Sequence, residues 1–342
     1  MSTSRFDLLG IGNAIVDVLA RAEDEFLAQQ RMRKGGMALI DEAAAQTIYA
    51  AMPPGIESSG GSAANTCAVA AGLGARVAYL GKVADDQLGR VFRHDIVATG
   101  VHFPSSPLVG GAPTARCLIL VTPDAQRTMN TFLGACVTFG PDDVDAETVA
   151  ASAVTYLEGY LFDPPQAQAA FRRAAGLAHA AGRQVALSLS DPFCVDRHRA
   201  AFRELVANHV DILFANEAEI CSLYQTTDFD AAAEAARRDV GLAALTRSEA
   251  GSLLLRGDES VAIAAAPATV IDTTGAGDAY AAGFLTAFTA GQSLEVCGQV
   301  GSAAAAVVIA QFGARPQGEL KGLVIKHGVP ALACLGPVQK AL

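Results

Sequence analysis

Val270-Ile271-Asp272-Thr273-Thr274-Gly275-Ala276-Gly277-Asp278, running into an alanine-rich segment through residue 290, is the stretch that decides how this chain folds. The β-branched pair Val270-Ile271 reads as the end of a strand, residues 273–277 as a tight turn, and Asp278 as the start of a helix. The first amides of a helix lack intrahelical partners and carry the positive end of its dipole, so such a turn can hold an anion. A carboxylate at the lip of that pocket suggests chemistry on a phosphate rather than phosphate binding alone. Aspartate also caps helices well, and on that plainer reading the glycines form an ordinary loop. The rest of the chain has to decide between the two.

A length of 342 residues allows one large α/β domain or two ordinary ones, and 51% hydrophobic with 18% charged residues is globular and rich in core. Aromatics make up 6% and tryptophan is absent, so alanine, valine and leucine must fill the interior. The net charge of −10 leaves no basic surplus for nucleic acid. One phosphorylated ligand stays compatible with it, because a metal ion and local dipoles can offset its charge. The seven cysteines (67, 117, 136, 194, 221, 297 and 334) show no C-x-x-C spacing, which favours buried thiols over a zinc site or a disulfide framework. Residues 1–7 lack the pattern of a signal peptide, and the apolar runs 279–291 and 301–312 are too short to span a bilayer; a cytoplasmic protein with no membrane partner is expected.

Along the chain, Phe6–Ile11 and residues 15–20 read as strands joined by Gly12-Asn13, with Asp17 between Val16 and Val18. A carboxylate in that setting is either an outward-facing strand residue or a ligand contact. A second glycine-rich turn, Ser59-Gly60-Gly61-Ser62-Ala63-Ala64-Asn65-Thr66, leads into a small-residue helix over 67–73. Residues 116–121 and 127–133 read as a hairpin around Thr122-Pro123-Asp124-Ala125-Gln126; with the strands at Asp17 and Met37 they could form a small separate sheet. From residue 153 onward strand and helix alternate, including a helix at 197–207, which implies a parallel sheet covered on both faces.

Two nucleotide fingerprints are absent: no G-x-x-x-x-G-K-[ST] occurs, and G-x-G-x-x-G fails both at Gly275 and at Gly10. The opening stretch together with Gly60-Gly61-Ser62-Ala63-Ala64-Asn65 instead resembles the two signature regions of the ribokinase-like (PfkB) family of sugar and nucleoside kinases, over nearly the full length. Within that family it is most similar to adenosine kinases, through Gly12-Asn13-Ala14-Ile15-Val16-Asp17, residues 187–193, residues 210–217 and residues 271–278. The resemblance implies a three-layer αβα sandwich with a mainly parallel central sheet and a small β-sheet lid. Residues 1–12, 42–112 and 137–342 would form the large domain, and 13–41 with 113–136 the lid.

The resemblance also assigns roles. Asp278 would act as base on the acceptor hydroxyl, with a low pKa expected from the helix dipole. The turn Gly275, Ala276 and Gly277 belongs to the catalytic set, and the amides of Ala276, Gly277 and Asp278 would hold the charge of the transferred phosphoryl group. Asp17, Gly61 and Asn65 would grip ribose hydroxyls, a diol being suited to a carboxylate and an amide. Asn216 and Glu219 match an N-x-x-E motif that arranges Mg²⁺ and phosphates, Glu219 acting through water; the same residues also read as a helix cap. Arg127 resembles a lid arginine that reaches the phosphates, or is a solvated strand residue. Thr246, Arg247 and Gly251 would form a nucleotide-contacting loop, Arg247 touching a phosphate or facing water, and Gly313 would lie by the ATP adenine. Tyr160 and Phe132 are either platforms for the acceptor's base or core aromatics.

The function so implied is ATP- and Mg²⁺-dependent phosphorylation of the 5′-hydroxyl of adenosine or a related ribonucleoside. A ribokinase- or fructokinase-like sugar kinase, or a silent nucleoside-binding protein, are the alternatives. Dependence on a monovalent cation such as K⁺, and the choice between monomer and homodimer, stay open at this level.

Overall fold

The computed structural model describes residues 4–124, 126–315 and 318–327; Ala125 of the expected hairpin turn and Cys334 lie outside them. Thirteen strands are present among the described residues: β1 Phe6–Ile11, β2 Ile15–Arg21, β3 Met37–Leu39, β4 Ile56–Gly60, β5 Val77–Leu80, β6 Ala115–Val121, β7 Arg127–Phe132, β8 Ser152–Glu158, β9 Gln184–Ser188, β10 Ile212–Asn216, β11 Leu242–Thr246, β12 Ser252–Arg256 and β13 Glu259–Ile263. Eight form one sheet in the order β13-β12-β11-β10-β9-β8-β1-β5, parallel from β5 to β11 and closed by the antiparallel pair β12-β13. Chain order reverses at β1, which lies between β5 and β8. In open α/β sheets the crevice beyond the strand C-termini at such a point is where ligands bind.

Helices cover both faces of this sheet, giving three layers. On one face Ala63, Cys67, Tyr280, Phe284, Val300 and Ala304 share a core with Tyr79 and Tyr156 of the strands. On the other, Phe171, Phe202, Leu205 and Ala232 pack against Leu9, Leu157 and Leu245. The strands buried on both faces carry the near-continuous apolar runs expected of a parallel sheet. Six described cysteines are free thiols, five of them buried, as the spacing implied. No helix of the described residues is long and apolar enough to cross a membrane.

The second sheet has the order β3-β7-β6-β2-β4 and contains the Asp17 strand, the Met37 strand and the hairpin, as expected. It also takes two pieces expected in the large domain. Strand β4 pairs antiparallel with β2, placing Ser58 opposite Asp17, and Ile48 of the helix Glu42–Ala51 packs on Val18 and Leu118. The polar, glycine-ended run Ile56-Glu57-Ser58-Ser59-Gly60 carries too little apolar alternation to be read as a strand.

Two other boundaries move. Val270 and Ile271 are not a strand: they are 60% and 54% exposed, and the Ile271 amide donates to Ile309 O at the end of the helix Leu294–Ile309. The helix expected at 197–207 is the second part of a span Pro192–His209 that is broken at His198 (φ −124°, ψ 23°); Asp191 caps the added first part by accepting from the amides of Phe193 and Cys194, with proline at its first position.

The helix Ala276–Thr289, which follows the anion turn, crosses Leu294–Ile309 at glycine contacts: a β-carbon on Gly283 would lie 2.6 Å from Val300 O, and one on Gly301 would lie 2.9 Å from Tyr280 O. Helix propensity alone predicts that Gly283→Ala gains about 1 kcal/mol. The backbone contact reverses that sign, and Gly283→Ala is expected to lose about 1–3 kcal/mol in urea unfolding. A gain in stability would contradict this close crossing.

Candidate active site

The anion turn is built as its glycines require. Gly275 sits at φ 76°, in the left-handed region, and caps the helix Ala276–Thr289, while a β-carbon there would meet Ala314 at 2.7 Å. Asp278 is therefore the third helical residue and not the cap. Of the three amides expected to face a phosphate, that of Ala276 donates to Thr273 O at 3.2 Å. Those of Gly277 and Asp278 have no partner among the described residues and remain for an anion.

Asp272 organises the turn from below. Its Oδ1 accepts from the Thr274 amide at 3.0 Å and its Oδ2 from the Gly313 amide at 2.9 Å, while Nη1 of Arg127 donates to both oxygens at 2.9 Å. Burial alone would raise this carboxyl, yet the two amides and Arg127 together hold it below the usual carboxylate range. The Arg127 and Asp272 side chains are 13% and 4% exposed, so removing one partner leaves a buried charge, at about 3–5 kcal/mol. The structure thus brings the expected lid arginine to the anion turn and excludes the solvated-strand alternative.

On the acceptor side, Ser62 Oγ donates to Asp278 Oδ1 at 2.6 Å and Asn65 Nδ2 to Asp278 Oδ2 at 3.3 Å. Gly61, at φ 95°, caps the helix Ser62–Gly72, and a β-carbon on it would meet Asn13 O at 2.1 Å. The Asp17 carboxylate packs over Gly60, where a β-carbon would lie 2.3 Å from it. It is turned inward and not outward from the strand, and there Arg315, Arg127 and Asp278 act on it.

Two residues that carry the site were given no role in the sequence reading. Glu158, at the end of β8 and 1% exposed, accepts from the Ala63 amide at 2.7 Å and from the backbone and side-chain nitrogens of Asn13 at 3.2 and 2.8 Å. It ties the first glycine turn to the second. Arg315 donates from Nε to Asn65 Oδ1 at 2.9 Å. The signals were a lone carboxylate closing an apolar strand and a lone arginine after an apolar helix, both too common to single out.

The other expected residues divide. Asn216 and Glu219 form a reciprocal capping box, Asn216 Nδ2 donating to Glu219 Oε1 at 2.6 Å and the Asn216 amide to Oε2 at 2.9 Å. Glu219 also feels the charges of Asp191 and Asp278, so the cap faces the site. Thr246 lies beside Asn216 at the sheet's C-terminal edge. Arg247 is turned to the surface, 3.1 Å from Glu217 and over the Phe229 ring at 4.1 Å. Gly251, at φ 86°, serves the close approach of β13: a β-carbon there would meet Ile263 O at 2.0 Å. Tyr160 is 37% exposed and lies among Asp191, Asp278, Glu219 and Glu158, outside the apolar core. Phe132 ends β7 beside Gly134, opposite Arg116 of β6.

Burial governs the acids. It raises Asp278 to about 6 against the hydrogen bonds of Ser62 and Asn65 and the charge of Arg315, overriding the low value expected from the helix dipole. It raises Asp17 to about 6, and Glu158 and Glu219 to about 7. No three-carboxylate or histidine cluster able to cage a metal occurs among the described residues.

A raised native pKa gives Asp278 a stabilising effect that is complete below the unfolded value near 4 and is lost as pH climbs through about 6. Asparagine cannot ionise. Unfolding measured on the ligand-free protein should therefore show Asp278→Asn gaining about 1–3 kcal/mol on the wild type between pH 4 and pH 8. A pH-independent difference would mean the carboxyl is unperturbed.

Residues 55–319 match the model of the pfkB family carbohydrate kinases. An adenosine kinase of Saccharomyces cerevisiae is 27% identical over 336 residues, covering 90% of this chain and 95% of its own. An ATP-dependent ribose-1-phosphate kinase of Halopiger xanaduensis is 29% identical, covering 76% and 83%. The crystal structure of the adenosine kinase from Sinorhizobium meliloti superposes with a TM-score of 0.88 at 54% identity, covering 94% of this chain and 99% of that one. The two sheets have the ribokinase-like arrangement, and the chain belongs to the PfkB family of carbohydrate and nucleoside kinases.

Proposed function

We propose that this kinase transfers the γ-phosphoryl group of ATP to the 5′-hydroxyl of adenosine or a closely related ribonucleoside. The observation that carries the reading is the contact of Asp278 with both halves of the site. Its own amide and that of Gly277 are open to a phosphoryl group, while its carboxylate is shared with Ser62 and Asn65 on the acceptor side. The adenosine kinase at 54% identity supports the choice of acceptor, as does a half-open tyrosine, Tyr160, close to Asp278.

Asp17, Gly61 and Asn65 bind the ribose diol, leaving the 5′-hydroxyl at Asp278. Asp278 orients this hydroxyl and accepts its proton as the O–P bond forms and the bond to ADP breaks. A carboxylate near pKa 6 is ionised at neutral pH yet basic enough for this, and the loose transition state asks little of the nucleophile before bond formation. The Gly277 and Asp278 amides meet the charge on the transferred group, a contribution worth several kcal/mol in comparable sites. Arg127, released from Asp272 or shared with it, neutralises phosphate charge from the small sheet. Magnesium carried on the ATP phosphates would be held through water by Glu219 and would neutralise phosphate charge. Packing of the small sheet over the acceptor excludes water and so limits futile ATP hydrolysis.

Turnover measured side by side with adenosine, ribose and fructose, in the presence of ATP and magnesium, tests the acceptor. Adenosine is expected to give the highest kcat/KM. Turnover confined to the free sugars would overturn the nucleoside reading, and tight adenosine binding without ATP consumption would replace it with a binding protein.

A further inference from the structure

Arg315 lies where three parts of the site meet. Its Nε donates to Asn65 Oδ1 at 2.9 Å, its Nη1 donates to Ser59 Oγ, and the same nitrogen is 3.3 Å from Asp95 Oδ2. The side chain is 18% exposed, and Nη2 is buried with no hydrogen-bond partner among the described residues. The segment that carries it packs on the anion turn, through the Gly313 amide on Asp272 and Ala314 against Gly275. Burying a guanidinium this deeply while leaving one donor unpaired is costly. The Asp95 carboxylate on its own repays little of that cost, being partly exposed and at the long end of ion-pair distance.

Two consequences follow from the chemistry of the groups. A guanidinium only donates, so the atom of Asn65 that faces Arg315 must be the oxygen. That choice turns the Asn65 amide nitrogen toward Asp278, where it donates; flipped, the amide would set an oxygen against a carboxylate. Arg315 is also the cation common to Asp17 and Asp278, and its charge opposes the burial that disfavours their ionised forms. The other ionisable groups acting on Asp278's surroundings are Asp17, Tyr156, Glu158 and Tyr160 along the crevice and Glu219 beyond it, while Asp17 also faces Arg127 and Cys117. Arg315 in turn faces Asp95, Tyr79 and Cys67.

We propose that Arg315 is a positioning residue for phosphoryl transfer, fixing the amide of Asn65 that donates to Asp278 and supplying the positive charge common to Asp17 and Asp278. This role presupposes the kinase reading above, and two variants separate its parts. Arg315→Met removes both charge and hydrogen bond, while Arg315→Lys keeps the charge and loses the planar fork.

In Arg315→Met the acidic limb of kcat/KM should move up by about one pH unit, with the acceptor KM rising about tenfold. In Arg315→Lys the limb should stay while the acceptor KM still rises. A purely structural arginine would instead lower the melting temperature and leave both the limb and KM of the folded fraction unchanged, which would overturn the proposal.

A readout without substrate keeps the proposal apart from the identity of the acceptor. The midpoint of the pH range over which Asp278→Asn gains stability on its parent, and the pH at which that gain levels off, should be higher in the Arg315→Met background than in the wild type. An unchanged midpoint would refute the electrostatic role whichever acceptor the enzyme uses. If Arg315→Met does not fold, the acceptor KM of Arg315→Lys decides: wild-type KM overturns the positioning role.

Discussion

The carboxylate of Asp272 is the contact on which the rest of the site depends. It accepts from the amides of Thr274 and Gly313 and from Arg127, and so joins the anion turn, the segment after the last long helix and the hairpin of the small sheet. Each of those three parts is irregular or peripheral by itself. The turn has a left-handed glycine, the segment 311–315 has no regular structure, and the small sheet leaves Met37, Leu39 and Ile56 exposed. A single desolvated carboxylate, held low by its donors, gives them a common reference point. The start of the anion turn at Thr274 and the Arg127 side chain are both set by it.

Above that anchor the site gathers negative charge. Asp17, Glu158 and Asp278 lie around one crevice, with Glu219 at its far side; burial raises all four, and neighbouring carboxylates add to it at Asp17, Glu158 and Glu219. Against these carboxylates the fold sets amide dipoles and two arginines, Arg127 and Arg315, from separate elements. Glu158 is used up in holding Asn13 and the first amides of the helix Ser62–Gly72, so its role is architectural. Asp278 has two neutral donors and no directly bonded cation, which leaves it basic. The division of labour among similar carboxylates is thus set by their partners, not by their chemical type.

Much of this was legible in the sequence, for reasons that differ by element. The parallel strands read clearly because burial on both faces makes them unbroken apolar runs, and Gly275 and Gly61 marked their turns because left-handed backbone excludes most other residues. Asp17, Asn65 and Arg127 could be placed only through the family resemblance, since each is an unremarkable residue in its local stretch, whereas Asp278 stands out by its place at the head of a helix after a glycine turn. Strand β4 was missed because its polar residues face a small sheet with little core. The Val270-Ile271 pair was misread because β-branched residues also suit extended coil. Glu158 and Arg315 act through partners 95 and 250 positions away, and no local pattern encodes such contacts. Arg247 carried the right charge in the right loop, but Glu217 and Phe229 draw it to the surface.

The central claim is that Asp278 performs the chemistry while other groups perform the binding. Its most direct test is single-turnover phosphoryl transfer from ATP in Asp278→Asn, measured beside the dissociation constant for adenosine. The account predicts that the rate falls by about three or more orders of magnitude while adenosine binding changes less than about tenfold. Transfer at the wild-type rate in that variant would remove Asp278 from the mechanism.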